Sequence, residues 1–393
     1  MSHQRIRRFL AVVTAGGITG ALAVAVPAAA SAATIVDLGT LPGGTFSNGE
    51  DINNAGTIVG TSGVSPNVWH AVTWDSRGVI TDLGTLPGDS SSAGYQIGDS
   101  GAVRGDSDAK PVRWGPNGAI TRLLPLPGDH IPISRDMNNA GTVVGYSRKS
   151  IGEYVYEDHA VRWDVGTGAA TGLAQPPGAT ESVAWAVNDH GAIAGHVRIA
   201  GERRAARWNA DGTVTVLDLL GGGVYSYAED INDAGVVVGH ANGSTSDELR
   251  TVRWSQTGAI TVLADLPGGN WSYHMAINDN GVIAGYAGTS NQPHAVRWAP
   301  TGAVTDLGTL PRYDRSFGRD MNADGTVVGD SDLFSDLNST RAVRWASNGT
   351  ATNLGLLRGG TYSIAYAIND AGTIIGNANT ANDDNHAFVW RAG

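Results

Sequence analysis

The chain has 393 residues, a net charge of −11 and no cysteine. The acidic balance disfavours nucleic acid and anionic membrane surfaces as partners. Without disulfides, a fold of this size must be held by its core. Glycine contributes 55 residues, about twice the usual share, which indicates many tight turns.

The first 32 residues predict a secretion signal. Three arginines within the first eight residues precede an apolar stretch, 9–27, and a small-x-small pattern ends at Ala32. We expect cleavage near Ala32 and a secreted, extracellular mature protein; the adjacent pair Arg7-Arg8 leaves the export route open. No later apolar stretch is long enough to span a bilayer.

After this signal, one unit of roughly 44 residues recurs eight times. Each copy contains a segment like 230–239, Asp-Ile-Asn-Asp-Ala-Gly-Val-Val-Val-Gly, and a later segment like Ala-Val-Arg-Trp. Turn residues divide each copy into four short strands, for example 225–231, 236–239, 251–254 and 259–263. The tryptophan recurs in every copy: Trp74, Trp114, Trp163, Trp208, Trp254, Trp298, Trp345 and Trp390.

The two ends of the repeat array complement each other. Residues 34–38 have the pattern of the last strand of a copy, and the final copy stops at Trp390, where that strand is missing. Strand exchange between the ends would leave no open sheet edge. The sequence therefore predicts an all-β fold, a closed eight-bladed β-propeller forming a single domain over residues 33–393. A β-solenoid and two smaller rings are the alternatives.

The tripeptide His386-Ala387-Phe388, together with Ile-Asn-x-x-Gly-x-Val-Val-Gly, resembles the bacterial extracellular repeats named HAF after that tripeptide. Related copies occur at 70–72, 159–161 and 294–296, and the resemblance covers nearly all of the chain after the signal. It implies an exported bacterial protein. It carries no established activity that could be transferred.

The repeat predicts two unequal faces of the ring. One carries only tight turns; the other carries the Leu-Pro-Gly connections and the loops after Val-Val-Gly, which vary in length and content. Variable loops on a rigid scaffold are the usual place for binding. We therefore predict a ligand-binding surface on the variable face, formed by loop aromatics and by the residue that follows Val-Val-Gly. Its candidates are Trp69, Tyr146, Tyr154, Tyr156, His196, His240, Trp271, Tyr286 and Phe334.

Odd-numbered copies carry an aspartate before the Ile or Met of the innermost strand, and even-numbered copies do not. In a closed ring these carboxylates would surround the channel, where they could hold a cation. The interpretation we favour is that each accepts hydrogen bonds from an arginine or a backbone amide across a blade interface. We predict no metal and no cofactor. The four are Asp51, Asp136, Asp230 and Asp320.

The function that fits these patterns is a secreted, non-catalytic binding scaffold for an extracellular carbohydrate or protein partner, acting as a monomer. The alternative is a carbohydrate-active hydrolase or lyase that uses the channel carboxylates as acid and base. Against an enzyme, no copy contains a unique carboxylate pair or histidine–carboxylate cluster in a stretch that departs from the repeat.

Overall fold

The computed structural model describes residues 34–243, 249–290 and 292–392. The predicted signal, residues 1–32, lies outside the described residues. Within the described ranges all repetitive structure is β-strand, and no helix is long and apolar enough to cross a membrane.

In the described residues, thirty-two strands form eight four-stranded antiparallel sheets arranged as a ring, which confirms the eight-bladed propeller. Each blade runs from an innermost strand beside the central channel to an outermost strand at the rim. Blades 1 to 4 comprise Ser47–Ile52, Ile58–Ser65, Val68–Trp74 and Ile80–Asp82; Ser92–Ile97, Val103–Ser107, Lys110–Trp114 and Ile120–Arg122; Ile131–Met137, Val143–Gly152, Val155–Trp163 and Ala170–Gly172; and Ala179–Val187, Ile193–Ile199, Glu202–Trp208 and Val214–Val216. Blades 5 to 8 comprise Ser226–Ile231, Val237–Asn242, Leu249–Trp254 and Ile260–Val262; Ser272–Ile277, Ile283–Gly288, Pro293–Trp298 and Val304–Asp306; Arg315–Met321, Val327–Leu333, Asp336–Trp345 and Ala351–Asn353; and Ser363–Ile368, Ile374–Asn379, Asn385–Trp390 and Val36–Asp37.

The N-terminal strand closes the ring, as the complementary ends predict. Val36–Asp37 pairs antiparallel with Asn385–Trp390 and becomes the outermost strand of blade 8. The Asp37 carboxylate lies 2.8 Å from His386 Nδ1. The equivalent histidine and aspartate of blade 1 make the same contact within one continuous repeat. Blade 8 is therefore built like the other blades, although its strands come from both ends of the chain.

The recurring tryptophans fill the spaces between blades. All eight are buried. Trp254 of blade 5 packs with Ala194 and Ala205 of blade 4, and its indole N–H donates to the Asp218 carbonyl, at 2.8 Å, in the connection between the two blades. Each ring thus adds apolar contact between neighbouring blades. In the described residues six of the eight indole N–H groups donate to a main-chain carbonyl in this way, whereas that of Trp345 is buried without a hydrogen-bond partner.

A β-bulge interrupts every innermost strand at the same place. In blade 5 the pairing shifts between Ala228 and Asp230, so Glu229 has no partner in the second strand. The glycine that ends Val-Val-Gly faces this bulge, and a Cβ on Gly239 would lie 1.9 Å from the Tyr227 carbonyl oxygen. Glycine is required there because no side chain fits.

The second strand is longer than its sequence pattern indicates. In blade 5 it covers Val237–Asn242 rather than 236–239, because the chain continues pairing beyond the glycine with the first residues of the innermost strand. This extension places the variable residue after the glycine, His240 in this blade, inside the sheet rather than in a loop.

The aspartates of the odd-numbered blades join neighbouring blades through backbone amides. Asp51 accepts one hydrogen bond from the Ile52 N–H (2.8 Å) and one from the Ile97 N–H of blade 2 (2.9 Å). The other three accept the matching amide of the following blade: Asp136 from Val187, Asp230 from Ile277, and Asp320 from Ile368. The carboxylates are therefore engaged with the main chain across alternate interfaces, the role favoured above.

The turns at the ends of the innermost strands add a belt of asparagines around the channel. In six blades the asparagine that follows the Ile, Met or Val donates from its side chain to a main-chain carbonyl of the next blade, as Asn188 does to Asn232 at 2.9 Å. The belt includes the contact from Asn369 of blade 8 to the Asn53 carbonyl of blade 1, at 3.1 Å. The ring is closed at the channel as well as at the rim.

We expect deletion of residues 34–42 to lower the melting temperature, because it removes the closing strand of blade 8 and exposes the edge of Asn385–Trp390. Differential scanning calorimetry of the intact and shortened chains would measure this effect. Equal melting temperatures would show that the closing strand contributes nothing to the stability of the ring.

We expect Asp51→Ala to reduce the free energy of unfolding by about 2–5 kcal/mol, because two buried amides lose their acceptor. Asp211→Ala, on an exposed turn, serves as the control and should change the free energy of unfolding little.

Since both Asp51 oxygens already accept amide hydrogen bonds, millimolar calcium should not raise the melting temperature of the unaltered protein. A calcium-dependent rise that disappears in Asp51→Ala would instead identify a cation site.

Candidate functional site

The bulge places one side chain per blade at the channel. The bulged residue does not pair with the second strand, and in blades 3 to 7 it lines a cavity at the channel. The residues at this position differ from blade to blade in charge and shape, unlike the rest of the innermost strand. They are Glu50, Tyr95, Arg135, Trp185, Glu229, Met275, Arg319 and Tyr366.

Each bulged residue lies beside the variable residue that follows Val-Val-Gly in the second strand of the same blade. Five of these pairs make a direct polar contact. They are Tyr95 with Asp106 (3.2 Å), Arg135 with Tyr146 (3.0 Å), Trp185 with His196 (3.1 Å), Glu229 with His240 (2.8 Å) and Arg319 with Asp330 (2.5 Å). The two most variable positions of the repeat therefore form matched pairs at the channel.

A cavity of about 1110 Å³, which we call the loop-face cavity, lies on the face of the variable loops. Two of these pairs line it, Glu229 with His240 and Arg319 with Asp330. The bulged residues of blades 3 to 7 contribute to its wall. A smaller, polar depression lies at the opposite end of the channel, among the tight turns, and includes Asp51 and Asp320. The channel carboxylates and the loop-face cavity are thus at different ends of the ring.

Aromatic rings form a continuous surface on one side of the loop-face cavity. The ring centroids of Trp271 and Tyr273 are 6.0 Å apart, those of Tyr273 and Tyr286 are 5.6 Å apart, and those of Tyr286 and Phe317 are 5.1 Å apart. Tyr273 is 43% exposed. Rings packed in this way are rigid, and they present apolar faces with polar edges to the cavity.

Charged groups flank the aromatic surface. The guanidinium of Arg135 lies 4.4 Å from the Trp185 ring centroid and donates to the Tyr146 hydroxyl. It has no carboxylate within ion-pair distance in the described part of the chain, whereas Arg319 is paired with Asp330. An arginine that forms no ion pair with a carboxylate of the described residues therefore lies at the cavity wall in blade 3.

Burial determines the charge state of the histidine at blade 4. Desolvation, with smaller effects from Arg203 and Arg198, lowers the pKa of His196 to about 4. The imidazole is neutral at physiological pH, and its Nδ1 accepts the hydrogen bond from the Trp185 indole N–H. His196 thus holds Trp185 at the cavity wall and is itself buried.

The sequence-predicted candidates divide into two groups. His240 and Tyr286 line the loop-face cavity directly, Trp271 contacts its aromatic surface, and Tyr146 and His196 lie behind it. The remaining four are on the outer hairpins and are not brought together: Trp69, Tyr154, Tyr156 and Phe334. Tyr154, at a hairpin tip, is 83% exposed, and the rings of Tyr156 and Phe334 lie beside Arg148 and Arg315.

Several cavity residues were missed as candidates because nothing in the sequence pattern distinguishes them from other strand residues. Tyr227, Tyr273 and Phe317 have the alternation of ordinary strand residues. His274 did carry a signal. The corresponding position of the seven other copies holds glycine, alanine or serine: Gly49, Gly94, Ser134, Ala184, Ala228, Gly318 and Ala365. A histidine in a row of small residues marks a departure from the repeat.

Side chains from two different copies form a histidine–carboxylate cluster at a blade interface. The sequence contains no histidine–carboxylate cluster within one copy, but Glu229 and His240 of blade 5 meet His274 of blade 6 across the blade interface. Residues 45 positions apart in the sequence are brought together because adjacent blades pack side by side.

Burial raises the pKa of the Glu50 carboxyl from 4.5 to about 7. Between these values the unfolded chain is ionised and the folded chain keeps its proton, so the free energy of unfolding decreases as the pH rises from about 4.5 to about 7. Glutamine keeps the shape of the side chain but does not titrate. We therefore expect the free energy of unfolding of Glu50→Gln to vary less over this pH range than that of the unaltered protein. Urea denaturation of both proteins at about pH 5 and pH 8 would test it; identical pH dependence would place the Glu50 pKa near its ordinary value.

No protein-family model and no curated protein matches the chain, so the resemblance to HAF repeats stays a prediction. Among solved structures, an oligogalacturonate lyase in complex with manganese is similar at a TM-score of 0.51 and 12% identity, over 93% of this chain and 94% of that one. A puromycin hydrolase is similar at 0.51 and 14%, over 87% and 58%. A streptogramin B lyase is similar at 0.42 and 11%, over 92% and 98%. At such identities the likeness to the two structures with a TM-score of 0.51 shows the fold alone: the chain is a β-propeller protein.

Proposed function

We propose that this protein is an exported binding protein that takes an extracellular carbohydrate into the loop-face cavity without transforming it. The observation that carries the proposal is the continuous aromatic surface of Trp271, Tyr273, Tyr286 and Phe317 along one wall. A concave, largely apolar site with a few convergent polar groups is the usual form of a small-molecule site.

The apolar faces of sugar rings can pack on these aromatic rings, while the sugar hydroxyls reach the polar groups around them. Tyr227 and the Arg319–Asp330 pair lie on the same wall and supply donors and acceptors. Because the rings contact one another, little side-chain freedom would be lost on binding. A monomeric, secreted ring would present this cavity on its loop face.

Arg135 favours a carbohydrate that bears carboxylate groups. Its guanidinium is held against Trp185 and lacks a carboxylate partner among the described residues. In a chain with a net charge of −11, an arginine left unpaired at a cavity wall is a specific place for an anion. Uronic acids would place a carboxylate beside a stacked sugar ring.

The alternative function is a carbohydrate-active hydrolase or lyase. Its acid and base would not be the channel aspartates, whose oxygens accept backbone amides at the other end of the channel. The observation that favours an enzyme is the cluster of Glu229, His240 and His274, three titratable groups on the wall of the loop-face cavity.

Isothermal titration with neutral glucan and uronic-acid oligosaccharides would test the binding function. We expect Tyr273→Ala to raise Kd about tenfold for every bound sugar, equivalent to about 1.4 kcal/mol. Arg135→Met should raise Kd for the acidic sugars alone. Tyr154→Ala, at an exposed hairpin tip outside the cavity, is the control and should leave Kd unchanged.

Two results would contradict this proposal. A loss of affinity in Tyr154→Ala but not in Tyr273→Ala would place binding on the outer hairpins. New reducing or unsaturated ends after incubation, detected by mass spectrometry and absorbance, would establish the enzyme instead.

A further inference from the structure

The interface of blades 5 and 6 carries a compact group of metal-ligating side chains. Glu229 Oε2 lies 2.8 Å from His240 Nδ1 and 3.6 Å from His274 Nε2. One ligand atom from each residue can be chosen so that all three lie within 4.8 Å of one another. No other group of three or more histidine, aspartate or glutamate ligands is this compact in the part of the chain that the structure describes.

Each of the three residues reaches the group from a different structural position. Glu229 is the bulged residue of blade 5, His240 is the variable residue of its second strand, and His274 replaces the small residue that the seven other blades have at its position. Both imidazoles are buried, with His240 6% and His274 4% exposed, and their centroids are 5.2 Å apart.

A buried ring nitrogen without a hydrogen-bond partner is costly, because buried polar groups lose their contacts with water. Glu229 satisfies Nδ1 of His240, but Nε2 of the same ring is buried and has no hydrogen-bond partner. The hydrogen bond between Glu229 and His240 therefore leaves one buried ring nitrogen of His240 unsatisfied, beside a second histidine at a position that is small in the other blades.

The geometry points to a divalent transition-metal site formed by Glu229, His240 and His274. Two imidazole nitrogens and one carboxylate oxygen form a donor set that suits zinc and its neighbours, rather than calcium or magnesium, which prefer oxygen ligands. An ion about 2.1 Å from each donor needs donors roughly 3.0–3.4 Å apart. Small side-chain rotations would bring the three atoms to this spacing.

Three protein ligands leave coordination positions for water or a bound molecule. All three residues line the loop-face cavity, so the open positions would face it. Tyr273 of the aromatic surface lies beside the His240 ring, with centroids 5.4 Å apart. The metal site does not depend on carbohydrate binding, although a ligand oxygen in the cavity could reach the ion.

Zinc titration of the full chain, after removal of bound metal with a chelator, tests this proposal. We expect one zinc ion per chain at this site and an increase in Tm. His274→Ala should weaken zinc binding about 100-fold or more, since even the loss of a residue that only orients a ligand costs 10–100-fold. Alanine occupies the same position in blades 4, 5 and 8, so this variant should fold.

His196→Ala provides the matched control. His196 occupies the position of His240 in blade 4 and is equally buried, but its Nδ1 contacts an indole rather than a carboxylate. We expect the control to keep the zinc affinity of the unaltered protein. Cobalt substitution gives a second readout, since cobalt bound by two imidazoles and a carboxylate should show visible absorption that His274→Ala abolishes.

The proposal would be overturned if zinc failed to bind, or if it bound with equal affinity to the unaltered protein and to His274→Ala. The second result would place zinc on the exposed histidine–aspartate pairs at the rim, such as His70 with Asp82. Both results are independent of the sugar titrations, because they are obtained without carbohydrate.

Discussion

The β-bulge in the innermost strands is the constraint on which the rest of the structure depends. One extra residue per strand rotates the chain locally, so that the bulged side chain faces the channel and the residue after it faces the neighbouring blade. The glycine opposite makes this possible, since any Cβ at Gly239 would collide with the Tyr227 carbonyl oxygen. The bulge, which every blade has, thus places the most variable side chains of the innermost strands at the channel.

The same geometry explains why aspartate alternates with residues that lack a carboxylate. A carboxylate has two oxygens, and Asp51 uses one for the Ile52 amide of its own strand and one for the Ile97 amide of the next blade. One aspartate can therefore accept an amide hydrogen bond from each of two blades, so the following blade does not need an aspartate at this position. Blade 2 departs from this rule: Gln96 accepts the Met137 amide and donates to Asp136.

The division between scaffold and site follows from this arrangement. Positions that most copies share hold the ring together, as the Asn369–Asn53 contact does at its closure. Some of the positions that differ between copies face the loop-face cavity, and there they form aromatic, cationic and histidine–carboxylate groups. Because the ring is rigid, these groups keep fixed positions although no single blade contains a complete site. A residue that departs from the repeat, such as His274, therefore indicates the position of the candidate site better than any residue that the copies share.

The sequence by itself determined the class of fold, the number of blades and the strand shared between the ends, because these follow from local patterns that occur eight times. It also identified the variable row after Val-Val-Gly. Only the tertiary structure decided which residues of this row meet the bulged residues of the innermost strands. The contact between Glu229 and His274 depends on the bulge and on the packing of two blades, and the outer position of Tyr154 depends on how far its hairpin extends from the ring. Such distances are set by packing between segments that are remote in the chain, and no pattern within one repeat encodes them.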